Sequence, residues 1–528
     1  MSADRFRSRT FGDLLDEIAL AFPDQLFGVD SLGDRAHYGE MAEQTDRIAG
    51  WLASKGVKNG SRVALVMPNR LDWIRIALGA HKLGASLVAI STFSTAREIE
   101  HELKDAGPEL IISVERVRAN DFRRSFADVD KSAPGMHALF FWEDWCTQAR
   151  LAHPLLASSP SRASAPAFIL FTSGSSAAAK GVLLNHADAI ENGFNIGERM
   201  HLTAADRVYL AVPLFWSFGS VNALPALMTH RGSFVFHESF EPGAALDLIE
   251  RERCTVFYGM VNMARAMVED PSFSPQRTTS LRTGLSIGLP DEFAYMAARL
   301  NVKEICSVYG MTETYGNCCV TDAGMPDALR FQCSGPALPG NEIRVVDDRD
   351  VLVASGAPGR IEVRGYTARY TNPSLNDDAY TKDGFFRTGD VGYLDAAGMI
   401  HFLARDNEMI KTGGINVSPS EVEQILRLHE SIAQAYVVGV PDSIRGEVVF
   451  AYVVAAGDSL DTDALVIHCR KYLARYKVPL EFCRLTKDEI PLTPTGKVQR
   501  RRLRELARER SASPRPERKP NAPLHDLV

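Results

Sequence analysis

The sequence predicts an α/β protein: a large N-terminal domain of parallel-sheet βαβ subdomains plus a small β-rich subdomain, and a small C-terminal α+β domain. Three observations carry that expectation. Helix-like and strand-like segments alternate up to about residue 320, as βαβ units around a parallel sheet require. Between about 335 and 400 the texture changes to short Val/Ile runs separated by Gly, Asp and Pro turns. Beyond Arg405-Asp406-Asn407-Glu408 a compact mixed unit begins. A chain of 528 residues is also too long for one core and suggests about three or four folding units. The expected division is 1–404, a hinge at 405–408, a small domain at 409–510, and a Pro-, Arg- and Ser-rich tail at 511–528 read as disordered.

The elements follow in order. An amphipathic helix opens the fold, with Thr10 as N-cap and Phe11, Leu14, Leu15, Ile18 and Phe22 on one face. Residues 62–67 read as a buried strand, 71–83 as a helix and 85–90 as the next strand. Residues 167–170 form an apolar run ahead of a polar loop, and the alternation returns with a strand at 208–212, a helix at 221–229 and a strand at 232–236. In the terminal unit a helix over 418–428 is capped by Ser418 with Pro419 in its first turn, and strands follow at 435–440 and 448–454.

Composition excludes several function classes. The 45% hydrophobic and 24% charged content is that of a soluble globular protein. A net charge of −7 argues against a general nucleic-acid binder, and the basic stretch from Lys497 to Lys519 reads as a solvated tail. The eight cysteines form no Cys-x-x-Cys pair, so neither a zinc site nor a disulfide framework is indicated. The first residues lack an apolar signal core, and no apolar run reaches the ~18–20 residues that span a bilayer. The expectation is a reducing, cytoplasmic protein with no membrane span and no nucleic-acid partner.

The chemistry concentrates in six clusters. The loop at 171–181, Phe-Thr-Ser-Gly-Ser-Ser-Ala-Ala-Ala-Lys-Gly, follows a buried run and holds four hydroxyls, a Gly and a Lys. Such a loop can wrap a polyphosphate with backbone N–H groups, hydroxyls and an ammonium. It is not a Walker loop, because Ala179 precedes Lys180 and Gly181 follows it. In Ser307-Val308-Tyr309-Gly310-Met311-Thr312-Glu313-Thr314, the Tyr can stack on a nucleobase and the Glu can hold phosphate-bound Mg²⁺. Asp390, after a tight turn, suits two ribose hydroxyls. The stretch from Ala404 to Gly414 joins the β-rich and terminal units. Pro213-Leu214-Phe215-Trp216-Ser217-Phe218-Gly219 is an aromatic cluster after a strand, and residues 491–497 present Lys497 ahead of a basic helix.

In this order the clusters resemble the superfamily of AMP-forming adenylating enzymes: acyl- and aryl-CoA synthetases, carrier-protein adenylation domains and luciferases. The resemblance covers roughly residues 10–505 and is nearest to bacterial acyl-CoA synthetases. It implies that Thr172, Ser173, Gly174, Ser175, Ser176 and Lys180 clamp phosphate, and that Tyr309 with Gly310 holds adenine. Thr312 then touches phosphate, Glu313 holds Mg²⁺, Asp390 and Arg405 bind ribose, and Lys497 serves adenylation. Trp216 stands beside the reacting carboxylate, with Ser217, Phe218, Ile287, Gly288, Leu289 and Tyr315 around the acyl group. Ser217, where amino-acid-activating domains carry Asp, disfavours an α-amino acid, and the apolar Ile287 and Leu289 favour an aryl or medium- to long-chain acid.

The resemblance further implies ATP, Mg²⁺ and coenzyme A, with the thiol passing Gly413 and Gly414, and a mobile C-terminal domain that swings at Asn407. The sequence departs from the family at Ala177, Ala179, Ala404 and Asn407. Two alternatives stay open: delivery of the acyl group to a carrier protein or another nucleophile, and a catalytically inactive nucleotide binder. A homodimer stays equally open.

Overall fold

The computed structural model describes residues 6–127, 138–155, 162–172, 179–412, 415–442, 445–457, 460–492 and 498–512. Its contacts divide into two compact units. One comprises residues up to Thr388 with Tyr393–Phe402; the other comprises Gly389–Gly392 with residues from Leu403 onward.

Among the described residues, the first unit holds two large sheets. One runs in the order Cys319–Val320, Glu304–Tyr309, Thr283–Ser286, Val256–Tyr258, Arg207–Leu210, Ser233–Phe236, Leu26–Asp30, Arg35–His37. Its six central strands are parallel, and each edge strand is antiparallel to its neighbour. The other runs Arg369–Tyr370, Lys180–Asn185, Pro166–Thr172, Ser86–Ile90, Arg62–Val66, Leu110–Ser113, Ala138–Phe141. The central parallel strands Arg62–Val66, Ser86–Ile90 and Leu110–Ser113 are Val-, Ile- and Leu-rich and buried except at Arg62, as expected of a parallel sheet with both faces covered. A continuous apolar core includes Phe11, Phe168 and Trp73, the last two stacked with centroids 6.1 Å apart. The β-rich segment forms a smaller sheet containing the antiparallel pair Glu342–Val346 and Gly359–Arg364. The α/β class read from the sequence is the one observed.

In the second unit the long antiparallel strands Ile432–Asp442 and Gly446–Ala455 pack against helix Pro419–Arg427. Its core is separate and includes Val422, Leu426, Val437, Val449 and Leu465.

Several local expectations need correction. The opening helix is Phe11–Ala21, closed by a Thr10–Asp13 capping box, and Phe22 lies beyond it at 43% exposure. The segment at 221–229 is not one α-helix. It enters as a π-helix over Phe218–Ala223 and becomes α only at Leu224–His230, where Pro225 supplies no N–H. Ser418 precedes helix Pro419–Arg427 but makes no side-chain cap. Its hydroxyl, like that of Ser420, donates to the Leu403 carbonyl, at 2.8 and 2.6 Å. The last helix runs Arg500–Ala512, two residues into the stretch read as disordered; the rest of that tail, 513–528, lies outside the described residues.

Candidate active site

The polar loop is the turn of a β-hairpin. Strands Pro166–Thr172 and Lys180–Asn185 are antiparallel, with Thr172 directly opposite Lys180. Opposite residues in such a ladder lie about 5 Å apart, so the fold sets a hydroxyl and an ammonium at the base of the loop. Thr172 Oγ1 is buried and has no hydrogen-bond partner among the described residues. Ser173, Gly174, Ser175 and Ser176 lie outside the described residues.

A chain of contacts leads from this hairpin to the carboxylate. The Lys180 ammonium sits 5.3 Å from the centroid of the Tyr370 ring, a cation–π distance. The Tyr370 hydroxyl donates to Glu313 Oε1 at 2.8 Å. Glu313 is 8% exposed, in a short 3₁₀ turn Thr312–Thr314, and its carbonyl accepts from the Ala368 N–H at 2.8 Å. Sequence reasoning missed Tyr370: it lies in a two-residue strand, Arg369–Tyr370, with no motif to mark it.

Tyr309 ends strand Glu304–Tyr309, and its ring stacks on Phe402 with centroids 6.1 Å apart. Gly310 follows because a Cβ there would come within 2.5 Å of the Asn317 Cα and the Gly316 carbonyl. Thr312 Oγ1 donates to Ser217 Oγ at 3.1 Å, linking the phosphate-side turn to the aromatic segment. In that segment Trp216 is partly buried and packs edge-on against Phe215, while Phe218 packs on Tyr258 at 4.7 Å.

The expected acyl wall is met unevenly. Ile287 is 45% exposed, and Gly288 and Leu289 are half-buried at the start of helix Pro290–Arg299. Just before them, Ser286 Oγ is buried without a partner among the described residues. Tyr315 is corrected. It is 1% exposed, its hydroxyl accepts from the Asn185 N–H at 3.1 Å and bonds the Asp188 carboxylate, and burial pushes its phenol up. A side chain so enclosed is a core residue and offers no accessible wall.

In the second unit Asp390 follows Gly389, whose φ of +71° is left-handed and suits glycine. The Asp390 carboxylate is 3% exposed and lies 3.0 Å from Arg405 Nε, so the two residues expected at ribose form an ion pair with each other. Asn407 falls in the 3₁₀ turn Asp406–Glu408, flanked by a small apolar cluster of Val391, Ala404 and Met409. Gly413, Gly414 and Lys497 lie outside the described residues.

A family model described as AMP-binding enzyme matches residues 15–369, and a second, AMP-binding enzyme C-terminal domain, matches residues 421–497. The medium-chain acyl-CoA ligase ACSF2, mitochondrial, of Rattus norvegicus is 27% identical over 94% of this chain and 87% of its own length. The acyl-CoA ligase sidI of Aspergillus fumigatus is 28% identical, with 94% and 91% covered. Among solved structures, ATP-bound MatB from Rhodopseudomonas palustris matches with a TM-score of 0.85 at 26% identity, over 94% of this chain and 99% of MatB.

Proposed function

Since this chain belongs to the AMP-binding enzyme family, we propose that it joins a carboxylic acid to coenzyme A at the expense of ATP, as an AMP-forming ligase. In the first step a carboxylate oxygen bonds to the α-phosphorus of ATP and the bond to pyrophosphate breaks. In the second the thiolate of coenzyme A bonds to the acyl carbon and AMP departs. Both reactants of the first step are anions, so positioned cations and donors matter most where charge builds on the transferring group.

The observation that carries this reading is the contact chain from Lys180 through Tyr370 to Glu313, beside the unpartnered Thr172 hydroxyl. Lys180 and Thr172 would receive phosphate oxygens, and Tyr370 orients the Glu313 carboxylate. A buried hard-oxygen donor of this kind fits Mg²⁺, which when bound neutralises phosphate charge. Asp390 and Arg405 are assigned the ribose, and Trp216 the reacting carboxylate. The apolar, half-exposed Ile287 supports an aryl or medium- to long-chain acid over a polar one. Gly413 and Gly414 are assigned the thiol's path, and Asn407 the hinge between the two steps.

The test is pyrophosphate release from MgATP with benzoate, octanoate and palmitate, each with and without coenzyme A. Acid-dependent release with formation of the matching acyl-CoA is expected. Release without acyl-CoA would move the acceptor to a carrier protein or another nucleophile. No release with any acid would overturn the reading.

A further inference from the structure

The densest buried polar network near the site is made of asparagines. Asn222 lies on the π-helix Phe218–Ala223, five residues after Ser217, and is fully buried. Its Nδ2 donates to the Tyr315 carbonyl at 3.2 Å and reaches the Ser217 carbonyl at 3.5 Å. Its Oδ1 accepts from Asn317 Nδ2 at 2.8 Å. From the other side, Asn192 Nδ2 donates to the Asn317 carbonyl at 2.8 Å and reaches that of Tyr315 at 3.5 Å.

What this network holds includes one strained residue, Tyr315. Tyr315 and Gly316 both have left-handed backbones, with φ of 55° and 85°. For a tyrosine that conformation costs on the order of 1–3 kcal/mol and persists only where its surroundings over-determine it. At Gly316 a Cβ would fall 1.7 Å from Asn222 Nδ2, so the glycine exists to admit the amide. Tyr315 lies two residues after Glu313, and Asn222 three residues after the aromatic segment 213–219. The π-turn is what makes the meeting possible: its extra residue per turn rotates Asn222 inward, a distortion common at functional sites.

We propose that Asn222 is a positioning residue that couples acid binding to nucleotide binding. One amide touches both the Ser217 segment, assigned to the acid, and the turn behind Glu313, assigned to the phosphates; the Thr312–Ser217 hydrogen bond is a second link between them. A shift of either segment on binding is therefore felt by the other, and by linkage each ligand changes the affinity for the other by the same factor. The inference rests on the proposed assignment of those two segments.

The test is calorimetric titration of the full chain with Mg²⁺–α,β-methylene-ATP, alone and with saturating benzoate, octanoate or palmitate. For wild type, at least one acid is expected to tighten the nucleotide about fivefold or more. Asn222→Ala should bind the nucleotide with that factor reduced below about twofold, and in turnover should raise KM for acid and nucleotide more than it lowers kcat. Asn317→Ala keeps both Nδ2 contacts of Asn222 and should keep the coupling, which separates positioning from general loss of packing. Should Asn222→Ala fail to fold, Asn222→Ser, which is polar but too short to hold both carbonyls, takes its place and must lower the coupling. An unchanged factor in Asn222→Ala or its substitute Asn222→Ser, or no coupling in wild type, overturns the proposal. Failure of wild type to bind the nucleotide at all would instead overturn the enzyme assignment.

Discussion

His81 and His186 pack edge to face in the middle of the first unit, with ring centroids 4.8 Å apart. His81 bonds the Ala167 carbonyl through Nε2 at 2.9 Å, and the His186 Nδ1 accepts from the Phe11 N–H. Burial pushes His81 down to about 4 and His186 well below its usual 6.5. Between those limits the unfolded chain binds protons that the folded chain refuses. This stability is therefore fully present above pH 6.5 and drains as pH falls, by about 1.4 kcal/mol per pH unit for each ring. Glu102 acts oppositely: burial raises its carboxyl to about 8, so its contribution improves toward acid. The two are separated by comparing variants. His81→Phe should flatten the fall in urea-unfolding free energy between pH 6.5 and 5 relative to wild type, and an unchanged slope would place the acid sensitivity elsewhere. At this scale the sequence revealed motif residues but not their partners. Glu313 and Lys180 were legible from their neighbours in the chain, whereas Tyr370 sits 57 residues from Glu313 and meets it only through the fold.

Elements in the second unit are tied by one arginine. Arg500, at the start of helix Arg500–Ala512, forms a bidentate pair with Glu423 at 2.6 and 2.9 Å and donates to the Val437 carbonyl at 3.0 Å. Its Nε lies 3.6 Å from Glu408, in the turn that carries Asn407. Three elements thus meet at one guanidinium, and Glu423 is 3% exposed. Arg500→Ala leaves that carboxylate buried and unpaired, which should cost on the order of 3 kcal/mol of unfolding free energy. Arg500→Ala with Glu423→Gln should recover part of the loss, because the uncompensated charge is gone; a double variant no more stable than the single one would mean the cost is packing alone. Element types were readable from periodicity and caps, as with Thr10 and its box to Asp13. The π-turn at Phe218–Ala223 was not, because its apolar pattern is also that of a buried α-helix and only Pro225 and the pull of Asn222 distinguish the two.

For the whole molecule, the two units have separate cores, and in the proposed chemistry the second contributes residues to both half-reactions: Lys497 to the first, Gly413 and Gly414 to the second. Lys497 belongs to the sequence of the second and is assigned the adenylation step alone. Lys497→Ala should slow adenylate formation by on the order of 10²–10³, the usual loss for one positioned charge, yet spare thioester formation from supplied acyl-adenylate. Rapid-quench measurement of each half-reaction checks this, and equal loss of both would remove the lysine from its assigned role.

The sequence by itself determined the α/β class, the order of the motifs and the family to which they belong, because alternating periodicity and short motifs are local properties of a chain. Tertiary structure alone decided which side chains face one another. It set Thr172 across from Lys180, hung Glu313 on Tyr370, withdrew Tyr315 into the core and locked a strained turn to a π-helix through Asn222. Apart from the hairpin pair, those contacts join residues 57 to 130 positions apart, where composition and spacing carry no signal and only packing selects the partner.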